Sequence, residues 1–114
     1  MSSTDPVRLR HMRDAAAQAI AFVQGRSRGD LDTDLMLSLA LVRLIEILGE
    51  AAKHLSPELK DAHPEIPWRP ITGTRDRLIH GYFNVDHDIL WTILQDQLPP
   101  LVKTLDSILT EVAP

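Results

Sequence analysis

The sequence of 114 residues contains no cysteine, so it can form no disulfide and has no thiolate for catalysis or metal binding. It also has no hydrophobic run long enough to cross a membrane, because its most apolar stretch, residues 35–42, is followed by Arg43 and Glu46. No hydrophobic core of a signal peptide follows the N-terminal arginines. These absences together predict a protein of the reducing cytoplasm.

Patterns typical of several other protein classes are missing as well. We find no strand-like alternation, no internal repeat and no low-complexity tract. The histidines lack the spacing of a helical His-x-x-x-His pair, so we expect no metal site and no cofactor. A net charge of −4 argues against a protein that coats nucleic acid. Local charge, however, decides where a phosphate binds.

Hydrophobic spacing and capping residues predict helices almost throughout the chain. The first two expected helices cover about 5–24 and about 33–54, the second with a cap at Asp32 or Thr33. A short helix follows the cap Ser56, and another covers the range 67–82. The C-terminal helical region starts at Asp86 or Asp88 and is kinked or broken by Pro99 and Pro100. Trp68 and Trp91 are expected in the core. The sequence therefore predicts a single all-α domain over residues 1–114, an antiparallel bundle of four to five helices.

The second predicted helix has two apolar faces. One carries the leucines at positions 37, 41, 44 and 48, which we expect in the core. The other starts with Leu35 and Leu39 and continues as a charged stripe of Glu46, Glu50 and Lys53. A helix of this kind is either central in a bundle or shared with a partner chain.

The range 67–82 concentrates three arginines, a histidine and the only tyrosine of the chain. Read as one helix, it places Arg75 in the middle of an apolar face. Because arginine is rarely buried without a partner, Arg75 should face a carboxylate or a phosphate. Glu46 and Glu50 of the preceding long helix are the candidate partners.

His80 lies five residues after Arg75 and so points roughly 140° away from it on an ideal helix. Asp76 lies four residues before His80 and could orient the imidazole. A site that uses both Arg75 and His80 needs a bend near Gly81 or a second copy of the chain.

Two interpretations fit these side chains. In the structural one, Arg75 links two helices, His80 caps a helix and Tyr82 packs in the core. In the functional one, the group cleaves a phosphodiester. The histidine transfers the proton of a ribose 2′-OH or of the leaving oxygen, and the arginine stabilises the anionic phosphorane. With one such histidine in each chain, acid and base roles require two sites that meet across a dimer axis.

The segment from Arg75 to Tyr82 resembles the Arg-x4-His-x-Tyr motif of HepT-type proteins in the HEPN superfamily. The flanking segments 49–58, 66–68 and 85–86 resemble the same family, and the likeness covers nearly the whole chain. Thr74 departs from the family pattern, in which we expect an apolar residue.

The resemblance implies a helical homodimer with paired motifs and a metal-independent endoribonuclease, the toxin of a toxin–antitoxin pair, with tRNA as a candidate substrate. In it, Arg75 and His80 would be catalytic and Asp76 would support them, while Arg69 and Arg77 are candidates for RNA binding. The partner would be an MntA-type nucleotidyltransferase antitoxin that transfers AMP to Tyr82. The alternative is a non-catalytic HEPN subunit that binds a nucleotide or RNA and engages that nucleotidyltransferase.

Overall fold

The computed structural model describes residues 3–80 and 84–112, apart from the side chains of His80 and Val112. Helices dominate these ranges, which confirms the predicted all-α class. The elements are α1 (Asp5–Phe22), α2 (Asp30–Thr33), α3 (Leu35–Lys53), α4 (Pro57–Ala62), α5 (Trp68–Thr72), α6 (Thr74–Leu78), β1 (Ile79–His80), β2 (Asn84–Val85), α7 (His87–Thr92), a π-helical turn (Ile93–Gln97) and α8 (Leu98–Val112).

The core lies where α1 packs against α3 and α8. Helices α1 and α3 are antiparallel, since Arg8 near the start of α1 donates to the carbonyl of His54 just after α3. Arg13 of α1 binds Asp106 of α8 at 2.9 Å. The core is built mainly from leucine, with the largest fully buried apolar side chains at Leu9, Met12, Leu31, Leu41, Ile45, Leu78, Leu90, Leu94, Leu98 and Leu105. Trp68 and Trp91 pack against it half-buried.

Side-chain caps start three of the helices. Asp34, not Asp32 or Thr33, caps α3 by accepting from the N–H of Leu37, because the preceding residues form the separate turn α2. Ser56 caps α4, as predicted. Asp86 likewise caps α7.

The prediction of one helix over 67–82 is wrong. Gly73 separates α5 from α6, and α6 ends at Leu78. The chain then becomes extended at Ile79, which pairs with Val85 in a short antiparallel ladder. Two β-branched residues face each other there, and such residues favour strand pairing over helix. The expectation of a chain without strands is also wrong, because β1 and β2 form this short ladder.

Pro99 and Pro100 do not end the last helical region. Instead, a π-helical turn immediately precedes α8, and the two prolines occupy the first turn of that helix. A proline ring clashes with the carbonyl four residues earlier in an α-helix and has no N–H to donate. Because the π turn is wider than an α-helical turn, it accommodates the two proline rings. The helix therefore changes type locally and does not break.

The second apolar face of α3 is exposed at its start. Leu35, Met36 and Leu39, here called the α3 patch, are 71%, 82% and 59% exposed. The start of α3 is therefore not central in the bundle, and contact of its second face with a partner chain stays a prediction. None of the helices in the described ranges is long and apolar enough to span a membrane.

Candidate functional site

The predicted site is centred on α6, which lies across α3. Gly49 of α3 makes the close approach possible. A Cβ at this position would lie 3.3 Å from the carbonyl oxygen of Ile71, the next-to-last residue of α5. That distance is tighter than most real Cβ contacts, so a larger side chain would press on the backbone of α5. The glycine thus sets the separation between α3 and the segment that carries Arg75.

Arg75 is paired with a carboxylate. Its Nε donates to Oε2 of Glu46 at 2.9 Å. The side chain is nevertheless 59% exposed, against 30% for Glu46, so the expectation of an arginine within an apolar face is corrected. The shortened α6 explains the difference, because Arg75 lies at the surface of a five-residue helix and not on the inner face of a long one.

The guanidinium of Arg75 is only partly used by this pair. Glu46 accepts from Nε, and no other residue of the described ranges accepts from either Nη. A guanidinium held in this way still has the N–H donors of both Nη groups for an incoming group, and arginine binds phosphate oxygens well through such donors. Glu50, the other candidate partner, binds Nε2 of His54 at 3.1 Å instead.

Arg75 borders a groove of about 270 Å³ between α3 and the α5–α6 segment, here called the Arg75 groove. Its lining comprises Arg43, Ile45, Glu46, Gly49, Glu50, Lys53, Ile71, Thr72 and Arg75. Arg43 was not singled out from the sequence as a site residue. The signal was present, since Arg43, Glu46, Glu50 and Lys53 follow each other at helical spacing on one face.

His80 is not on the helix that carries Arg75. Its backbone lies in β1, opposite Asn84, two residues beyond the end of α6. The predicted pairing of Asp76 with His80 therefore loses its helical basis; Asp76 is an exposed residue in the first turn of α6. The side chain of His80 and all of Tyr82 lie outside the described residues, so their predicted roles stay predictions.

The two candidate RNA-binding arginines do not line the Arg75 groove. Arg77 borders a different, larger cavity of about 530 Å³, whose lining includes Pro67 and Pro100. Arg69 is exposed on α5, and its carbonyl accepts from the N–H of Gly73. Arg75 and Arg77 thus border separate grooves, although they are two residues apart.

A second polar cluster has the connectivity of a hydrolase triad. His87 Nδ1 is 2.7 Å from Oδ1 of Asp32, and Nε2 is 3.2 Å from Oγ of Ser38. The hydrogen bond from His87, and next that from Arg28, lowers the pKa of Asp32. Ser38 is only 5% exposed, and its N–H already donates to Asp34 within α3. The backbone N–H beside a nucleophilic serine would have to be free to form an oxyanion hole. Because this N–H is occupied and the serine is buried, we assign the cluster a structural role: it links α7 to α2 and α3.

Comparison with protein families gives a match over most of the chain. The model of the family described as Ribonuclease HepT-like matches residues 12–108. That range includes the whole of α3, the Arg75 groove and the motif from Arg75 to Tyr82.

Several named proteins are similar over most of their own length. A candidate RNase of Caldanaerobacter subterraneus subsp. tengcongensis is 40% identical over 101 residues, which cover 89% of this chain and 90% of that protein. A candidate ribonuclease HepT of Thermococcus cleftensis is 39% identical, with 75% of this chain and 81% of that protein covered. A candidate RNase of Methanocaldococcus jannaschii is 29% identical, with 82% and 85% covered. No solved structure gives a significant match.

Proposed function

Because the chain belongs to the ribonuclease HepT-like family of the HEPN superfamily, we propose that it is a metal-independent endoribonuclease that cuts RNA at the Arg75 groove. The single observation that carries the proposal is the state of the Arg75 guanidinium. Glu46 fixes it through Nε, and both Nη groups lack an acceptor within the described ranges. An arginine oriented in this way can receive the charge that develops on a phosphate.

The proposed reaction is an internal transfer that needs the 2′-OH of RNA. His80 removes the proton of this hydroxyl, whose oxygen attacks the neighbouring phosphorus. Arg75 stabilises the resulting pentacoordinate phosphorane through its Nη donors. The P–O5′ bond then breaks, and the leaving oxygen takes a proton from a second acid–base group. The products are a 2′,3′-cyclic phosphate and a 5′-hydroxyl, with Asp76 as a supporting residue and tRNA as the candidate substrate.

A homodimer would supply the second acid–base group, since each chain has one histidine in the motif. The α3 patch supports this part of the proposal. Leu35 and Leu39 lie on the same face of α3 as Glu46 by helical spacing. A second chain that buried these side chains would therefore lie next to the Arg75 groove, and two grooves could meet at the dimer axis.

The family further suggests that the enzyme is a toxin that an MntA-type nucleotidyltransferase silences. In this part of the proposal, the hydroxyl of Tyr82 attacks the α-phosphorus of ATP, and pyrophosphate leaves. The added AMP brings negative charge and bulk to the motif and so repels an RNA backbone. Incubation with such an enzyme and ATP should add the mass of AMP to the peptide that contains Tyr82, and Tyr82→Phe should prevent the addition. An unmodified wild-type peptide would contradict this part.

The reaction itself is tested by product analysis. Purified protein is incubated with tRNA in the presence of a chelator, and the ends of the fragments are identified. We expect 2′,3′-cyclic phosphate and 5′-hydroxyl ends. Binding of tRNA without fragments would instead support the alternative, a non-catalytic subunit that binds RNA.

A further inference from the structure

A second groove lies on the other side of α3, between α3 and α1. It has a volume of about 250 Å³, and its polar lining consists of Arg8, His11, Arg43, Glu50 and His54. We call it the α1–α3 groove. Four of these five side chains are arginines or histidines, so a chain that is acidic overall presents a basic cleft here.

The α1–α3 groove adjoins the Arg75 groove, because Arg43 and Glu50 line both. These two residues are seven apart on α3 and lie on one face of the helix. The two grooves therefore share a wall. An extended ligand that enters one of them meets the other without leaving the surface of the protein.

Together the two linings carry four side chains that are cationic at neutral pH and two carboxylates, whereas the chain as a whole has a net charge of −4. The carboxylates have partners of their own. Glu46 accepts from Arg75, and Glu50 lies 3.1 Å from Nε2 of His54. A local excess of positive charge on an acidic protein is the electrostatic signature of a site for an anion.

The arginine at the junction of the grooves is available to a ligand. Arg43 is exposed, and it forms no hydrogen bond or ion pair with any residue of the described ranges. Arg8 is partly used, because its Nη1 donates to Oγ1 of Thr4 and to the carbonyl of His54 at 2.9 Å. Its Nε and Nη2 have no acceptor among the described residues. Each arginine can therefore still offer donors to a phosphate oxygen.

We propose that the α1–α3 groove binds the phosphate backbone of the RNA segment next to the link that is cleaved at Arg75. The inference rests on the proposed function and adds a second, non-catalytic subsite to it. Contacts to phosphate oxygens carry no direct sequence information, so a subsite that binds only the backbone contributes affinity and register but no sequence preference. Arg43 joins the two subsites, and Arg8 forms the far end.

The test measures binding without cleavage. The probe is a single-stranded RNA of mixed sequence in which every 2′-OH is methylated, so that no attacking hydroxyl remains. Its affinity for the full chain is measured by fluorescence anisotropy over a series of salt concentrations. The variants are Arg43→Gln, the double variant Arg8→Gln/Arg43→Gln, and a control with the same charge change, Arg10→Gln/Lys103→Gln. Both control residues are exposed and line neither groove.

For single strands, each lost phosphate contact reduces the slope of log affinity against log salt by about 0.7. We expect the slope to fall by about 0.7 in Arg43→Gln and by about 1.4 in the double variant, and to stay unchanged in the control. Because Arg43 has no partner among the described residues, its single variant should stay folded even if the loss of Arg8 loosens α1. Equal effects of the groove and control variants, or none, would overturn the inference.

The outcome separates the inference from the proposed function. Cleavage of ordinary RNA by the wild type, together with unchanged slopes in the groove variants, would refute the α1–α3 subsite alone. If the slopes of the groove variants fall as expected but the wild type cleaves no ordinary RNA, the result would support the subsite and refute the ribonuclease. A wild type that does not bind the methylated RNA would overturn the subsite, whatever its activity.

Discussion

The exposure of the Arg75–Glu46 pair predicts how little Arg75→Ala costs in stability. The pair has one hydrogen bond of 2.9 Å, and the two side chains are 59% and 30% exposed. Ion pairs this accessible contribute about 0.2–1 kcal/mol, because water screens the charges and ordering two long side chains costs entropy. Arginine and alanine are both good helix formers, so α6 itself loses almost nothing. We therefore expect a loss of at most about 1 kcal/mol, or about 4 °C in Tm.

The assay is thermal unfolding followed by circular dichroism, at the same chain concentration for each variant because oligomer stability depends on concentration. Leu41→Ala calibrates it. That side chain is fully buried, and its truncation should cost about 2–5 kcal/mol. Arg75→Ala should thus remain close to the wild type in Tm while RNA cleavage is lost. A loss of stability as large as that of Leu41→Ala, with cleavage intact, would show that Arg75 is a structural link between helices and not a catalytic residue.

Three further variants probe the surroundings of the site. Gly49→Ala should lower the rate of RNA cleavage, because a Cβ 3.3 Å from the Ile71 carbonyl oxygen displaces α5. Its Tm should change little, because alanine in place of glycine stabilises α3 by about 1 kcal/mol and offsets the strain. An unchanged cleavage rate would contradict this prediction. The hydrogen bond from Arg26 lowers the pKa of Asp34 below its ordinary 3.8. The ionised carboxylate therefore stabilises the fold above pH 3.8, and this stabilisation is lost as the pH falls through the lowered pKa. Asp34→Asn should therefore unfold at lower urea concentration than the wild type at pH 7 and converge with it in acid, and a constant difference would be the contrary result. Leu39→Glu should give a monomer in sedimentation velocity that no longer cleaves RNA, whereas an active dimer would rule out the α3 patch as the subunit contact.

The helices were predictable where a local signal determines them. Ser56 caps α4 as predicted, and Asp86, one of the two predicted candidates, caps α7. In each case the side chain satisfies an N–H of the first turn regardless of the rest of the fold. The contact of Arg75 with Glu46 was also expected. The reason given for it, burial of the arginine, was wrong, because the side chain is exposed. A guanidinium needs an acceptor on a neighbouring element, and α3 offers few.

The end of α6 was not predictable from local spacing alone. The N–H of Asp86 donates to the carbonyl of Leu78 at 2.8 Å, and Ile79 pairs with Val85. These partners lie eight and six positions later in the chain, so the pairing with them outweighs the helical pattern that continues through His80. The π turn before Pro99 is a similar case. The prolines indicate that the helix must change, but not whether it breaks or widens.

In the proposed reaction, Arg75 and His80 carry out the chemistry of RNA cleavage. The most direct test is the rate at which purified His80→Ala cleaves tRNA in the presence of a chelator, relative to the wild type and with equal folding shown by circular dichroism. We expect a folded variant that gives no cyclic phosphate ends and no longer inhibits growth when expressed. Cleavage and toxicity at the wild-type level would contradict it.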